Sequence, residues 1–317
     1  MQDFFSFGLN AKNRCLRTWF LICLLFSSIP GLTQSIFLPP SETYQPNRLK
    51  TVVITEVATG IAISAGLYFL WYKKHPRSHF HFFNDNGEWL QMDKIGHATT
   101  AYNIGAIQYD LMRWCGVENG TSILVGGLTS VGYMSIIEIL DGFSSKWGFS
   151  TGDMLANIFG AALFAAQQRG WNQQRISLKW SFHGSPYAKY YPAELGKNFV
   201  SRMLKDYNGQ TYWLSINIAS FLPGNSGFPY WLNASFGYGA EGMIGANHNP
   251  AQINGIPIPE FPRYRKFYFA PDADLFRIPT NSSLYNAAAY LTRFSKVPAP
   301  ALEWNHLKGL RFYPLYY

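Results

Sequence analysis

Two long stretches that are almost free of charge constrain this chain more than any other feature. Residues 51–72 carry Glu56 as their one charged side chain, and residues 121–140 carry Glu138 as theirs. Apolar runs of this length satisfy their backbone groups away from water only as helices, whether the neighbour is protein or lipid. Residues 93–114 and 151–169 flank the second stretch and also read as helices. Lys73-Lys74-His75-Pro76-Arg77 ends the first helix sharply. Gly152, Ala156 and Gly160 recur every fourth residue, so the last helix has a face small enough for close approach. The expectation is an up-down four-helix bundle with short connections. Two settings stay open for it: embedded in a membrane, or packed in the periplasm against the rest of the chain.

After Trp171 the texture changes. Residues 176–182, 211–221, 230–238, 265–269 and 310–317 are rich in aromatic and β-branched residues, with Gly, Pro and Asn clusters between them. Short helices are expected at 193–204 and 283–294. Tyr212, Leu214, Ile216 and Ile218 alternate with Trp213, Ser215, Asn217 and Ala219, which predicts a strand with two unlike faces. Aromatic strand ends and a terminal Tyr316-Tyr317 resemble outer-membrane barrels, yet five or six strands fall short of the usual minimum of about eight. A sheet packed on the bundle or lying against a membrane is preferred. The fold class is therefore α+β, with an N-terminal four-helix bundle followed by an antiparallel, aromatic-rich β region. The expected division is a signal peptide at 1–34, a linker at 35–50, the bundle at 51–171 and the β-rich domain at 172–317.

Polar residues inside the helices cluster at their ends. Asp93, Lys94 and His97 open the second helix, Glu138 and Asp141 close the third, and Ser150, Asp153 and Asn157 open the fourth. In an up-down bundle these three ends meet. Asp93 and His97, four apart, share a helix face, where a carboxylate can orient an imidazole and raise its basicity. Two carboxylates at a helix C-terminus oppose its dipole and need a cation or hydrogen bonds in compensation. Ser150 to Asp153 resembles a capping box with Asp in place of Glu. Two uses follow. His97, Asp93 and Glu138 form a candidate catalytic set, with His97 as general base. Alternatively, Lys94, Asp141, Ser150, Asp153 and Asn157 join them in a structural polar network. His97, Glu138, Asp141 and Asp153 also offer N and O ligands suited to a divalent metal such as Mg²⁺, Mn²⁺ or Zn²⁺.

The amino terminus reads as an export signal. Lys12, Arg14 and Arg17 precede an apolar stretch at 19–29 that Pro30-Gly31 breaks; the alternative is an uncleaved anchor. Cys15 and Cys23 fall in that leader, leaving Cys115 without a disulfide partner. Phe20-Leu21-Ile22 before Cys23 lacks the small residues that precede a lipidated cysteine. With 14% charged and 17% aromatic residues, the composition favours a protein at the lipid–water boundary. The net charge of +8 comes without a dense Lys/Arg run or a nucleic-acid motif. Anionic membrane lipids, and an envelope protein or glycan, are therefore the expected partners, and nucleic acid is not.

Asp93-Lys94-x-x-His97, Glu138-x-x-Asp141-Gly142 and Gly148-Phe149-Ser150-x-x-Asp153-x-x-Ala156-Asn157-x-x-Gly160 together resemble the YfiM-like family of predicted bacterial periplasmic lipoproteins. More distantly they are similar to VanZ-like membrane proteins. Residues 204–215 (LKDYNGQTYWLS) look like the longer members of the first family. The resemblance implies an exported, membrane-associated protein of the cell envelope and no established reaction. Two roles remain in view: a structural or assembly protein, or a hydrolase or transferase acting on a lipid or cell-wall precursor.

Overall fold

The computed structural model describes residues 38–317 apart from 71 and 225. The expected signal peptide lies outside the described residues. Four long helices come first: α1 (Pro46–Leu70), α2 (Met92–Trp114), α3 (Asn119–Gly142) and α4 (Thr151–Trp171). Proline occupies the first position of α1, where its missing N–H costs nothing. Residues 46–50, read as linker, are therefore already helical.

Close packing joins α2, α3 and α4 rather than all four helices. A Cβ added at Gly160 would lie 2.1 Å from the Ala98 carbonyl oxygen, and one at Gly126 would lie 2.7 Å from that of Gly105. Phe164, fully buried, fills the space beside both Gly105 and Gly126. Ser130 donates across the interface to the Ala101 carbonyl at 2.6 Å. By contrast α1 touches its neighbours mainly through Leu49 and Val52 against Met112 and Cys115. Val53, Ile54, Val57, Ile61, Ile63 and Phe69 are exposed around it. The expected four-helix bundle is thus a three-helix bundle with α1 alongside. The reason is that α1 beyond Glu56 is apolar on every side, so no stripe specifies a partner helix there. Both α1 and α3 are long and apolar enough to cross a membrane by length and composition.

Gly160→Val should destabilise the bundle by about 1–3 kcal/mol, because a side chain there displaces backbone rather than a flexible tip. Gly127→Ala, which meets nothing within 4 Å, should be neutral or stabilising. Thermal unfolding of both variants in the same detergent tests the contrast.

The remainder is an antiparallel sheet edged by short helices. β1 (Ile176–Phe182) leads through α5 (Pro192–Leu195) and α6 (Phe199–Lys205) to β2 (Gln210–Asn217) and β3 (Leu232–Glu241). A small hairpin, β4 (Gln252–Ile253) with β5 (Ile256–Pro257), precedes β6 (Tyr264–Ala273), α7 (Ser283–Thr292), β7 (Ala299–Asn305) and β8 (Gly309–Tyr316). The six-stranded order is β1-β2-β3-β6-β7-β8. It curls on itself, because the Tyr316 hydroxyl on β8 reaches both Thr211 on β2 and Tyr268 on β6 at 2.9 Å. Residues 294–296 cover the free edge of β1, with Trp180 N–H donating to the Phe294 carbonyl and Lys296 N–H to that of Trp180.

Three expectations change in detail. The single helix at 193–204 is two, broken where Gly196 takes φ +96° and restarted by an Asn198–Ser201 capping box. The strand at 211–221 stops at Asn217, whose side chain accepts from Ser220 N–H and turns the chain into a 3₁₀ helix. β7 was not anticipated, since its seven residues include Pro300 and no β-branched side chain.

The two unlike faces of β2 are present, but the polar face is the buried one. Lys179, Ser215, Asn233, Lys266, Asp272, Glu303 and Asn305 are all inside. Lys179 Nζ lies 2.6 Å from Asp272, Lys296 Nζ lies 3.6 Å from it, and Ser215 donates to it at 2.7 Å. The outer face carries Leu214, Phe236, Phe267, Phe269, Leu302, Trp304, Leu310 and Phe312.

Candidate functional site

The three polar helix ends do meet. Lys94, in the first turn of α2, places its ammonium 2.7 Å from Asp85, 2.9 Å from Asp153 and 3.6 Å from Asp93. Ser150 caps α4 by accepting from Asp153 N–H at 3.0 Å, and its hydroxyl donates to Asp85 at 2.6 Å. Its own N–H donates to Glu138 at 3.2 Å, which joins the end of α3 to the start of α4. His97 Nδ1 lies 3.1 Å from Asn157 Oδ1 and 3.5 Å from Glu138 Oε1. Its Nε2 is 3.9 Å from Asp93, within ion-pair range but beyond a hydrogen bond. Asp141 stands to one side and accepts from the Tyr72 hydroxyl at 2.7 Å.

Carboxylates outnumber cations here: Asp85, Asp93, Glu138, Asp141 and Asp153 surround Lys94 and His97. Glu138, Asp153 and Asn157 are essentially without solvent contact. In the loop before α2, burial alone would raise Asp85, but hydrogen bonds from Lys94 and Ser150 outweigh it and hold the carboxyl below its ordinary value. A cavity of about 290 Å³ opens on the cluster, lined among others by Asp85, Asp93, His97, Asp141, Asp153 and Tyr207.

Among the described residues, the group whose ligand atoms lie close enough to share a metal ion is Asp93, His97 and Asp153, all within 4.8 Å. Glu138 and Asp141, counted as ligands from sequence, fall outside that group. The Lys94 ammonium already occupies the space between Asp93 and Asp153, so a divalent cation would compete with it for both carboxylates.

Asp85, Tyr72 and Tyr207 belong to the site and were not singled out from sequence. Tyr207 donates a short hydrogen bond to Asp93 from the β-rich region. Its signal lay in the 204–215 stretch, already noted as family-like. Asp85 sits in an aromatic loop whose Asn84-Asp85-Asn86-Gly87 reads only as a turn.

Just before α2 the chain makes an unusual turn. Trp89, Leu90 and Gln91 take φ of 47°, 51° and 66°, a left-handed run without glycine. Such residues cost about 1–2 kcal/mol each relative to right-handed backbone. The turn is held by Trp89 N–H donating to the Ala246 carbonyl, Tyr238 hydroxyl donating to the Leu90 carbonyl, and Arg265 donating to Gln91 Oε1. All three holding groups come from the β-rich region.

An α+β protein whose helix ends converge on a polar cavity is the class this geometry defines. One protein family, described as "Predicted periplasmic lipoprotein (DUF2279)", matches residues 81–168, which span Asp85 to Asn157 and so the contributors to the cluster from α2, α3 and α4. That similarity supports an exported, cell-envelope location for a domain of unknown function. No curated protein and no solved structure matches the chain.

Proposed function

We propose that this chain is a membrane-associated protein of the bacterial cell envelope with a structural or assembly role, anchored by its apolar helices. In this reading the polar cluster locks the helix ends to the β-rich region. The observation that carries it is the position of Lys94. One ammonium lies within ion-pair distance of Asp85, Asp93 and Asp153, drawn from a loop and two helices. Tyr207 adds a tie from the sheet side. Lys94 offsets charge drawn from three segments at once, and breaking such a buried ionic group is costly, which favours one arrangement of the helix ends.

A second reading is a hydrolase or transferase acting on a lipid or cell-wall precursor, with His97 as general base. One observation favours it. If Nδ1 carries the proton given to Asn157, Nε2 is left as the basic nitrogen, with no hydrogen bond at 3.9 Å from Asp93. In this reading Asp93 and Glu138 would orient His97 or stabilise developing charge.

His97→Ala separates the two readings. A locking role predicts a lower unfolding midpoint and loss of envelope function together. A catalytic role predicts a folded, correctly located protein that fails to complement a deletion strain. Unchanged stability with full complementation would leave His97 outside both.

A further inference from the structure

We propose that the outer face of the sheet, from β3 round to β8, sits in the acyl region of a lipid bilayer. It would form a wall continuous with the outward faces of the helices. The proposal rests on the membrane reading above and extends it to the β-rich region.

Polarity is the first argument. A sheet in water buries its apolar face and wets its polar one. Here Lys179, Lys266, Asp272 and Glu303 point inward beside a buried cluster of Trp213, Tyr268 and Tyr316, while Phe236, Phe267, Phe269, Leu302, Trp304 and Phe312 point outward. Strands that are apolar outside and polar inside are the pattern of a sheet surrounded by lipid. The outward residues are also contiguous. Phe236 pairs with Phe269, Phe267 with Trp304, and Leu302 with Phe312 across neighbouring strands.

Continuity is the second. The same outward face is already covered at its other end, where Leu178 on β1 packs with Tyr102 and Phe164, and Tyr212 on β2 packs with Met92. The uncovered strands extend that apolar surface beyond the helices. α2 runs alongside the sheet, with Asn103 donating to the Leu178 carbonyl and Tyr102 to that of Ile176. Beyond the bundle's own contacts, α3 and α4 expose Leu124, Leu128, Leu155 and Phe159. Helices and sheet thus each carry an apolar exterior.

Dimension is the third. β3 and β6 are ten residues each, the length of a transmembrane strand of about 9–11, while β7 and β8, at seven and eight, reach through only part of the acyl layer. On the outward positions of β3 and β6 the charged residue is Arg265. It stands at the end of β6, where it meets Tyr238 and Gln91.

The test uses the full chain, freed of its native cysteines, in vesicles of phosphatidylethanolamine and phosphatidylglycerol. Single substitutions Phe236→Cys, Phe269→Cys and Phe312→Cys carry a small fluorophore on the sheet. Ile61→Cys reports on α1 and Glu260→Cys on an exposed loop. The sheet positions should lose most of their fluorescence to a nitroxide attached to lipid acyl chains and little to a water-soluble nitroxide. Glu260→Cys should do the reverse. Sheet labels quenched from water would overturn the proposal. So would sheet labels shielded from both quenchers and cross-linked between copies, because a second chain would then cover the face. If Ile61→Cys is quenched by lipid while the sheet is not, the sheet inference fails and the membrane reading stands. If none is quenched by lipid, both fail.

Discussion

Lys94→Met should destabilise the protein by about 3–5 kcal/mol, the usual cost of removing one partner from a buried ionic group. Its ammonium serves Asp85, Asp93 and Asp153 at once, and its side chain is only 14% exposed. Without it three carboxylates face one another in a site where burial has already removed most of the water. The same substitution combined with Asp153→Asn should recover part of the loss, because the remaining repulsion falls with the charge. Lys94→Arg should not restore the wild-type midpoint. The aliphatic stem passes so close to Gly152 that a Cβ there would lie 3.1 Å from Lys94 Cε, leaving little room for a broader head group. Unfolding midpoints of the variants in one detergent check all of this. A wild-type midpoint for Lys94→Met would mean the network contributes nothing.

Asp272→Ala should have an effect of similar size, again about 3–5 kcal/mol. It leaves the ammonium groups of Lys179 and Lys296 inside the sheet without their shared carboxylate, and it removes the acceptor of the Ser215 hydroxyl. Replacing the group as a unit, with Lys179→Met, Asp272→Leu and Lys296→Met together, should cost much less. Charge desolvation is then removed along with charge pairing. If the triple variant is as unstable as Asp272→Ala, shape rather than charge holds these strands together.

The helical half was legible because its signals are local. Apolar runs, the break after Tyr72 and the Ser150 cap each place an element without reference to distant residues, and the polar ends were correctly grouped. What could not be read was which helices pack. Beyond Glu56 the α1 sequence is apolar all round, and nothing in such a pattern distinguishes a protein neighbour from lipid. The site was legible in its helical members, His97, Glu138, Asp153 and Asn157 among them, and illegible in Asp85, Tyr72 and Tyr207. Those three arrive from a loop, a 3₁₀ turn and the β-rich region, so their role depends on tertiary placement.

The sheet shows a different limit. Alternation in β2 marks two faces without saying which is buried, and the usual assumption selects the wrong one. Leu214 lies outward and Ser215 inward. β7 escaped notice because Pro300 and Glu303 are poor strand residues whose placement is decided by cross-strand partners.

The left-handed run at Trp89, Leu90 and Gln91 has a consequence for biogenesis. A ribosome delivers these residues well before Tyr238, Ala246 and Arg265, the groups that hold them in that conformation. The nascent N-terminal half therefore emerges without the means to fix the start of α2, and with it the position of Lys94. Fixing that turn waits for the last third of the polypeptide, and a product truncated before Tyr238 would carry the helices without any of the three groups that hold it.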